Sequence, residues 1–302
     1  MKDLINEINR LKEEKDALIV AHYYVEDEVQ QIADFVGDSF YLSKVAKGTD
    51  KKMIVFCGVR FMGESAKIMN PEKTVLMPDS EADCPMAHMA SVEKIKAVRE
   101  KYDDVAVVCY INSSAELKSH SDVCVTSSNA LKIVSALPNK NIFFIPDEHL
   151  GRYISTFLPE KNFIFNDGFC HVHTEIDALQ LEKLSKEYPD AEILVHPECH
   201  ESVSEQADFI GSTSEIIDYA TESPAKEFIV CTETGVFYEL KKKNPDKEFY
   251  AVNTRQICTN MKKITLEKVR DVLRDGTNEV EVNENSAELA KSALENMMTL
   301  AK

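Results

Sequence analysis

The chain has 302 residues, of which 44% are hydrophobic and 29% charged, and its formal net charge is -17 at pH 7. Nucleic acid and anionic membranes are disfavoured as partners, because both would repel the average surface. No apolar run approaches the roughly 20 residues that cross a bilayer, and no signal-peptide segment opens the chain. We therefore expect a cytoplasmic protein whose eight cysteines are thiols or metal ligands rather than disulfides.

Three apolar runs, each predicted to be a strand, end at residues that begin one shared spacing pattern. The runs are Ala17 to Ala21, Val105 to Cys109 and Ile193 to Val195, and the anchors are His22, Tyr110 and His196. Two, twelve and seventeen positions beyond the anchors stand Tyr24, Asn112 and Glu198, then Asp34, Asp122 and Asp208, then Ser39, Ser127 and Thr213. This agreement without gaps indicates one unit written three times.

Each repeat closes on a proline and a cysteine. The prolines stand 49 positions beyond the anchors, at Pro71, Pro159 and Pro245, and the cysteines follow at Cys84, Cys170 and Cys258. Because solenoid repeats run only about 20 to 50 residues, these longer units are interpreted as duplicated small domains. The predicted boundaries are 1–88, 89–172 and 173–260, with closing helices in 261–302.

Within each repeat, β-branched runs alternate with helical patterns. The pairs are Met53 to Phe56 with Phe61 to Met69, Asn141 to Ile145 with His149 to Phe157, and Glu227 to Val230 with Val236 to Lys243. This alternation predicts an α/β fold with parallel sheets, whose strand ends aim all three anchor sets at one central cavity. The tail from Ser286 to Leu300 is predicted to be a closing helix, with apolar positions at Leu289, Ala293, Leu294 and Met297.

One cysteine from each repeat at a shared cavity suggests a metal cluster. Zinc sites usually take ligands in close pairs, which this chain lacks, whereas a [4Fe–4S] cluster accepts thiolates from remote segments. With three thiolates one iron stays open and acts as a Lewis acid, which suits dehydration chemistry. Packing as small buried hydrophobes is the alternative for these cysteines. The remaining cysteines are assigned to core or incidental roles: Cys57, Cys109, Cys124, Cys199 and Cys231.

Polar residues around the anchors predict an anion site and a proton acceptor. The hydroxyl column of Ser39, Ser127 and Thr213 lies in three segments that precede helical patterns: Asp38 to Ser39, Thr126 to Ser128 and Ser212 to Ser214. These segments are either plain helix caps or a convergent anion site. Glu198 lies two residues after His196, a pairing fit for general-base work if burial raises the carboxylate pKa. Solvated strand-end residues are the alternative.

Eight segments resemble one family, the quinolinate synthases. They are Ala21 to Tyr24, Gly37 to Ser39, Phe61 to Glu64, Cys124 to Ala130, Pro146 to Gly151 with Cys170 to His173, His196 to Cys199, and Cys258 to Lys263. They cover nearly the whole chain in order. The resemblance implies three αβα sandwich domains in pseudo-threefold arrangement around the active site. It also implies a transferase of NAD biosynthesis that condenses iminoaspartate with dihydroxyacetone phosphate to quinolinate, releasing phosphate and two waters.

The resemblance also implies a role for each matching residue. One [4Fe–4S] cluster per chain would be held by Cys84, Cys170 and Cys258. Substrate contacts would come from His22, Ser39, Tyr110, Asn112, Ser127, His173, His196 and Thr213. Tyr24 and Glu198 would be the acid–base pair, with Tyr110 and His196 as further catalytic candidates. A transient contact with an L-aspartate oxidase or dehydrogenase would deliver iminoaspartate. Because Cys258 has no closely spaced cysteine, the disulfide control proposed for some relatives is not expected.

Two other classes of protein use parts of this pattern. A cluster-based sensor would also carry three or four cysteines, but it normally adds a basic nucleic-acid-binding module, which is absent here. A metal-free isomerase or aldolase would explain the anion-binding caps, yet its Schiff base needs a lysine that no anchor column offers.

Overall fold

The computed structural model describes residues 1–302 and contains three four-stranded sheets. The strands are β1 Ala17–His22, β2 Phe35–Gly37, β3 Met53–Cys57, β4 Thr74–Leu76, β5 Val105–Tyr110, β6 Val123–Val125, β7 Asn141–Ile145, β8 Asn162–Phe165, β9 Glu192–Val195, β10 Phe209–Ile210, β11 Glu227–Cys231 and β12 Glu248–Ala251. Every neighbouring pair is parallel. The predicted α/β fold with triplicated αβα units is confirmed.

Helices lie between and around the strands. They are α1 Lys2–Glu14, α2 Asp27–Ile32, α3 Ser39–Gly48, α4 Arg60–Met69, α5 Val92–Lys101, α6 Ala115–Ser119, α7 Ala130–Ala136, α8 Glu148–Thr156, α9 His171–Thr174, α10 Ala178–Glu187, α11 Glu201–Ser204, α12 Thr213–Glu222, α13 Val236–Lys243, α14 Leu266–Asp275 and α15 Glu284–Leu300, with 3-10 helices at Pro85–His88 and Met261–Lys263. No helix is both long enough and apolar enough to cross a membrane.

The three sheets have the same strand order. It is β2-β1-β3-β4 in the first sheet, β6-β5-β7-β8 in the second and β10-β9-β11-β12 in the third. The first strand of each repeat is central and buried, which explains its continuous apolar run, since a parallel strand is covered on both faces. Each sheet lies inside one predicted repeat, while the boundaries between repeats stay a prediction.

Two repeated residue types fasten the amino-terminal ends of the sheets. Asp34, Asp122 and Asp208 each accept a hydrogen bond from the backbone N–H fifteen residues earlier, at 2.9, 2.7 and 2.8 Å. The lysines two positions after the repeated prolines each donate to carbonyls that end a helix, α3, α7 or α12: Lys73, Lys161 and Lys247. A positive charge at the carboxyl end of a helix interacts favourably with the negative end of the helix dipole.

Packing departs from threefold symmetry. Repeats one and two share a core of 62 buried residues with the C-terminal helices, whereas repeat three has two separate clusters of 10 and 8 residues. Helix α15 joins the first two repeats because it packs against α4, α6, α7 and β6. The predicted closing helix is present, but Leu289 is 58% exposed and Ala290 takes the buried position instead.

The predicted helix caps are only partly correct. In repeats one and three the predicted segments do cap α3 and α12, through Asp38 and Ser212, and Ser39 and Thr213 occupy the first helical position. In the second repeat α7 begins only at Ala130, because a turn precedes it in which Asn129 Oδ1 accepts the Thr126 N–H at 2.7 Å. Ser127 therefore lies in that turn and caps no helix.

Candidate active site

One cavity lies where the carboxyl ends of the three sheets converge. It measures about 720 Å³ including its mouth. All thirteen residues that the sequence predicted as site residues line it: His22, Tyr24, Ser39, Cys84, Tyr110, Asn112, Ser127, Cys170, His173, His196, Glu198, Thr213 and Cys258. Convergence follows from the topology, because parallel strands end at the same edge and the three sheets turn that edge inward.

The three predicted cluster ligands are free thiols in the cavity wall. Burial raises the pKa of Cys84 to about 12, and the neighbouring charge of Cys258 adds to this rise. Burial also raises the pKa of Cys170, followed by the charges of Glu198 and Cys84. Three mutually repelling thiolates without a cation are unfavourable, so this all-sulfur donor set fits an iron–sulfur cluster, which would neutralise them.

Carboxylate side chains bind the backbone at two of the three predicted cluster ligands. Asp83 Oδ1 accepts the Cys84 N–H at 2.7 Å, and Glu233 Oε1 accepts the Cys258 N–H at 3.1 Å. The other five cysteines are completely or almost completely buried within the hydrophobic clusters. They have the core positions predicted for them.

Glu198 is buried among groups that favour its ionised form. The Tyr110 hydroxyl donates a hydrogen bond to Glu198 Oε1. His173 Nδ1 lies 2.9 Å from Glu198 Oε2, but outside hydrogen-bond geometry. Burial raises the pKa of Glu198, but His173, His196 and Tyr110 together lower it from 4.5 to about 2. The condition named in the sequence analysis, a pKa raised by burial, is therefore not met, since opposite charge and hydrogen bonding outweigh desolvation.

Tyr24 reaches from the first repeat into the third. Its hydroxyl lies 2.7 Å from Thr213 Oγ1 and 2.8 Å from Thr232 Oγ1. His173 Nε2 is 2.9 Å from the same Thr232 oxygen. Burial holds the pKa of Tyr24 and Tyr110 well above 10, so both phenols keep their protons at neutral pH. His173 is only 2% exposed, so it is not a surface histidine.

Two anchor histidines are buried in the same tautomer. The N–H of Tyr24 donates to His22 Nδ1 at 3.2 Å, and the N–H of Glu198 donates to His196 Nδ1 at 3.3 Å. Burial lowers the pKa of both imidazoles to about 3, so they are neutral. A neutral ring that accepts at Nδ1 carries its proton on Nε2, and each histidine can therefore donate to an anion in the cavity.

One cavity residue, Glu233, and one buried neighbour of Tyr24, Thr232, were missed by the sequence analysis. Glu233 is fully buried 3.6 Å from Lys262, and burial raises its pKa to about 7. Thr232 is fully buried beside Tyr24. A signal was present, since Val59, Asp147 and Glu233 form another column 37 positions beyond the anchors. Because this column holds one apolar residue and two carboxylic acids, the sequence analysis did not recognise it as part of the repeat.

A mixed ligand group lies within this wall. The ligand atoms of Cys170, His173 and Glu198 are all within 4.8 Å of one another. Sulfur, nitrogen and oxygen ligands of this kind suit zinc. This group shares Cys170 with the cysteine triad, so the structure contains a metal-binding candidate in which one thiol belongs to both sets.

The fold and cavity define a triplicated α/β enzyme with buried ionisable groups and a thiol-lined wall. Residues 6–299 match the family described as Quinolinate synthetase A protein. The chain belongs to this family.

Named relatives agree over essentially the whole chain. Quinolinate synthase of Caldicellulosiruptor bescii is 54% identical over 297 residues, 98% of each chain. The enzyme of the same name from Fusobacterium nucleatum is 53% identical over 301 residues, and that of Clostridioides difficile 50% over 301 residues. Each of these two alignments covers 100% of this chain and 99% of the relative. Quinolinate synthase activity is therefore supported.

Proposed function

We propose that this chain condenses iminoaspartate with dihydroxyacetone phosphate to quinolinate, releasing phosphate and two waters, as a step of NAD biosynthesis. The observation that supports this proposal most is the meeting of one free cysteine from each repeat with Tyr24 and Glu198 in a single cavity. A [4Fe–4S] cluster would be held by Cys84, Cys170 and Cys258. When bound, such a cluster supplies an iron without a protein ligand, a Lewis acid for a substrate oxygen.

The cavity offers neutral donors for anionic substrates. His22 and His196 present Nε2–H groups, and the hydroxyls of Ser39 and Ser127 line the wall. Asn112 adds a buried side-chain oxygen without a protein partner, which can accept a hydrogen bond from an N–H or O–H group of a substrate. Hydroxyl and imidazole donors bind carboxylate and phosphate without needing a lysine. We infer that these groups orient both substrates and receive the departing phosphate.

Proton transfers fall to the carboxylate and the phenols. Glu198 is ionised at neutral pH and can accept a proton from a substrate carbon, while the protonated Tyr24 and Tyr110 can donate to substrate oxygens. No lysine lines the cavity, so a Schiff base between enzyme and substrate is not part of the proposal. The amine for ring closure comes from iminoaspartate itself.

Iminoaspartate hydrolyses in water, so its supply belongs to the proposal. We include a transient contact with an L-aspartate oxidase or dehydrogenase, which would release iminoaspartate near the cavity mouth. In an assay, oxaloacetate and ammonia can supply the imine without that enzyme.

Anaerobic purification followed by iron, sulfide and zinc analysis tests the proposal together with a quinolinate assay. About four irons and four sulfides per chain, with quinolinate formed only when both substrates are present, is the expected result. A zinc-loaded, iron-free protein would instead favour the group of Cys170, His173 and Glu198. Iron-loaded protein that forms no quinolinate would overturn the proposed reaction.

A further inference from the structure

A hydrogen bond joins the first and third repeats at the wall of the cavity. Ser214 donates its hydroxyl to Asp38 Oδ2 at 2.6 Å, and the two residues lie 176 positions apart in the chain. This length is typical of a hydroxyl bound to a charged carboxylate, a contact stronger than a hydrogen bond between neutral groups. Asp38 itself lines the cavity. The contact therefore connects two repeats at the edge of the candidate active site.

Both residues lie at the start of a helix that carries a cavity hydroxyl. Asp38 caps α3, because its other oxygen, Oδ1, accepts the Tyr41 N–H at 2.9 Å, and Ser39 follows as the first helical residue. Ser214 is the second residue of α12, directly after Thr213. Ser39 and Thr213 both line the cavity. One hydrogen bond thus holds together the two helix starts that supply these hydroxyls.

The equivalent positions of the other repeats do not form this contact. Asp38 and Ser214 stand 16 and 18 positions beyond their anchors, where the second repeat has Thr126 and Ser128. The hydroxyl oxygens of Thr126 and Ser128 lie 3.0 Å apart, so they form a hydrogen bond within their own repeat. The first repeat has Phe40 at the later position, which carries no hydroxyl. The contact between repeats therefore occurs where the first repeat meets the third.

The third repeat is the one that shares no continuous core with the other two. Its buried apolar residues form two small clusters, of which one also contains Tyr23 from the first repeat. Apolar packing therefore fixes the position of α12 relative to α3 less firmly than it fixes the first two repeats relative to each other. A polar contact across that boundary contributes correspondingly more to the position of α12.

We propose that Ser214 is a positioning residue, whose hydrogen bond to Asp38 holds the start of α12 against the start of α3. The cavity hydroxyls of Ser39 and Thr213 then face one anionic group of a substrate together. The proposal deepens the proposed function and rests on it. Without the hydrogen bond, part of the binding free energy would be used to bring the two helix starts together. Substrate affinity should fall, whereas proton transfer by Glu198 should not.

Two variants test the hydroxyl of Ser214. Ser214→Ala removes the donor and leaves Asp38 as the cap of α3. KM for at least one of the two substrates should rise on the order of 5-fold, while kcat at saturating substrate and the iron content stay near wild type. Ser214→Thr keeps a hydroxyl at this position and should restore most of the affinity.

The matched control lies at the other end of the same helix. Ser223 also donates its hydroxyl to a carboxylate, Glu192 Oε2, at 2.8 Å, and it is half-buried like Ser214. Ser223 and Glu192 both belong to the third repeat, and neither lines the cavity. Ser223→Ala should therefore lower stability without changing KM. An equal rise of KM in both variants would overturn the role of the Asp38–Ser214 contact.

Anion protection tests the contact without turnover. Citrate or phosphate should raise the melting temperature of the wild type by mass action, and Ser214→Ala should need roughly 5-fold more anion for the same rise. Ser39→Ala already removes one of the two hydroxyls, so adding Ser214→Ala should increase this requirement little further. Effects that add fully would mean that Ser214 does not act through the anion site, and they would overturn the proposal.

The outcomes distinguish this proposal from the proposed function. Iron-loaded wild type that forms no quinolinate contradicts the reaction, and the melting experiment then still decides the role of Ser214. Active wild type together with an unchanged KM and an unchanged anion requirement in Ser214→Ala overturns the role of Ser214 alone. Failure of Ser214→Thr to restore either quantity would overturn it as well.

Discussion

The amino and carboxyl ends of the three sheets differ in how far the repeats have kept the same residues. At the amino ends, the same aspartate makes the same backbone contact three times, in Asp34, Asp122 and Asp208. At the carboxyl ends, equivalent positions carry Tyr24, Asn112 and Glu198. The backbone N–H group to be satisfied is identical in every sheet, so one residue type serves all three.

A reaction on one substrate pair needs different groups on different sides. A donor, an amide and a proton acceptor cannot be supplied by three copies of one residue, because their pKa values must differ. The need for different catalytic groups therefore breaks the threefold pattern at the carboxyl ends, whereas the need for a stable sheet preserves it at the amino ends. Cys84, Cys170 and Cys258 are the exception at the carboxyl side, which fits a cluster whose ligands must all be thiolates.

The largest expected effect tests that exception. Replacing Cys84, Cys170 or Cys258 by serine should abolish quinolinate formation and reduce bound iron from about four per chain to near zero, because cluster assembly needs all three thiolates. Cys231→Ala is the matched control, a buried core cysteine that should keep its iron and lose only stability. Anaerobic iron analysis measures both. Equal iron loss in the control would contradict the distinction between cluster and core cysteines.

The next effect concerns the residues that differ between repeats. Glu198→Gln keeps the shape but loses the proton acceptor, so kcat should fall roughly 10²- to 10⁴-fold with iron retained. Tyr24→Phe should behave similarly, because one donor hydroxyl is lost. The exposed Glu205→Gln serves as control. Steady-state kinetics of iron-loaded protein is the measurement, and a native rate in either variant would assign its proton transfer to His196 or Tyr110.

A smaller effect is expected at the amino ends. Asp208→Ala removes a hydrogen bond to the Ile193 N–H, which should lower the free energy of unfolding by about 1 kcal/mol and leave kcat unchanged. The exposed Asp190→Ala should change neither quantity. Urea denaturation of the two variants gives the difference. A loss of activity in folded Asp208→Ala protein would break the division between the two ends.

The smallest expected effect concerns the hydroxyl column, Ser39, Ser127 and Thr213. It lies at the carboxyl ends of the sheets, yet it keeps a similar residue type in all three repeats. If Ser127 binds anions, citrate or phosphate should raise the melting temperature of the wild type by mass action, and Ser127→Ala should reduce that rise by a few degrees. Ser135→Ala, on the exposed side of α7, should leave it unchanged. Melting curves with and without each anion decide this. An unaltered rise in Ser127→Ala would leave the residue as part of a turn.

Much of the fold could be predicted from local sequence patterns. Buried parallel strands are continuous apolar runs, so β1, β5 and β9 were found within one residue of their bounds. The spacing of the anchors then predicted which residues would share a cavity. Where helical periodicity was ambiguous it failed by one position, as at Leu289, because the orientation of α15 is set by the surfaces of α4 and α6.

The sequence by itself determined the triplication, the parallel sheets and thirteen residues of the cavity wall, because these depend on spacings along the chain. Only the tertiary structure decided the protonation of Glu198 and the contact of Tyr24 with Thr232. Those depend on partners 88 and 208 positions away, Tyr110 for Glu198 and Thr232 for Tyr24. A pKa is the balance between burial and neighbouring charges, and no local pattern specifies which groups from other repeats supply those charges.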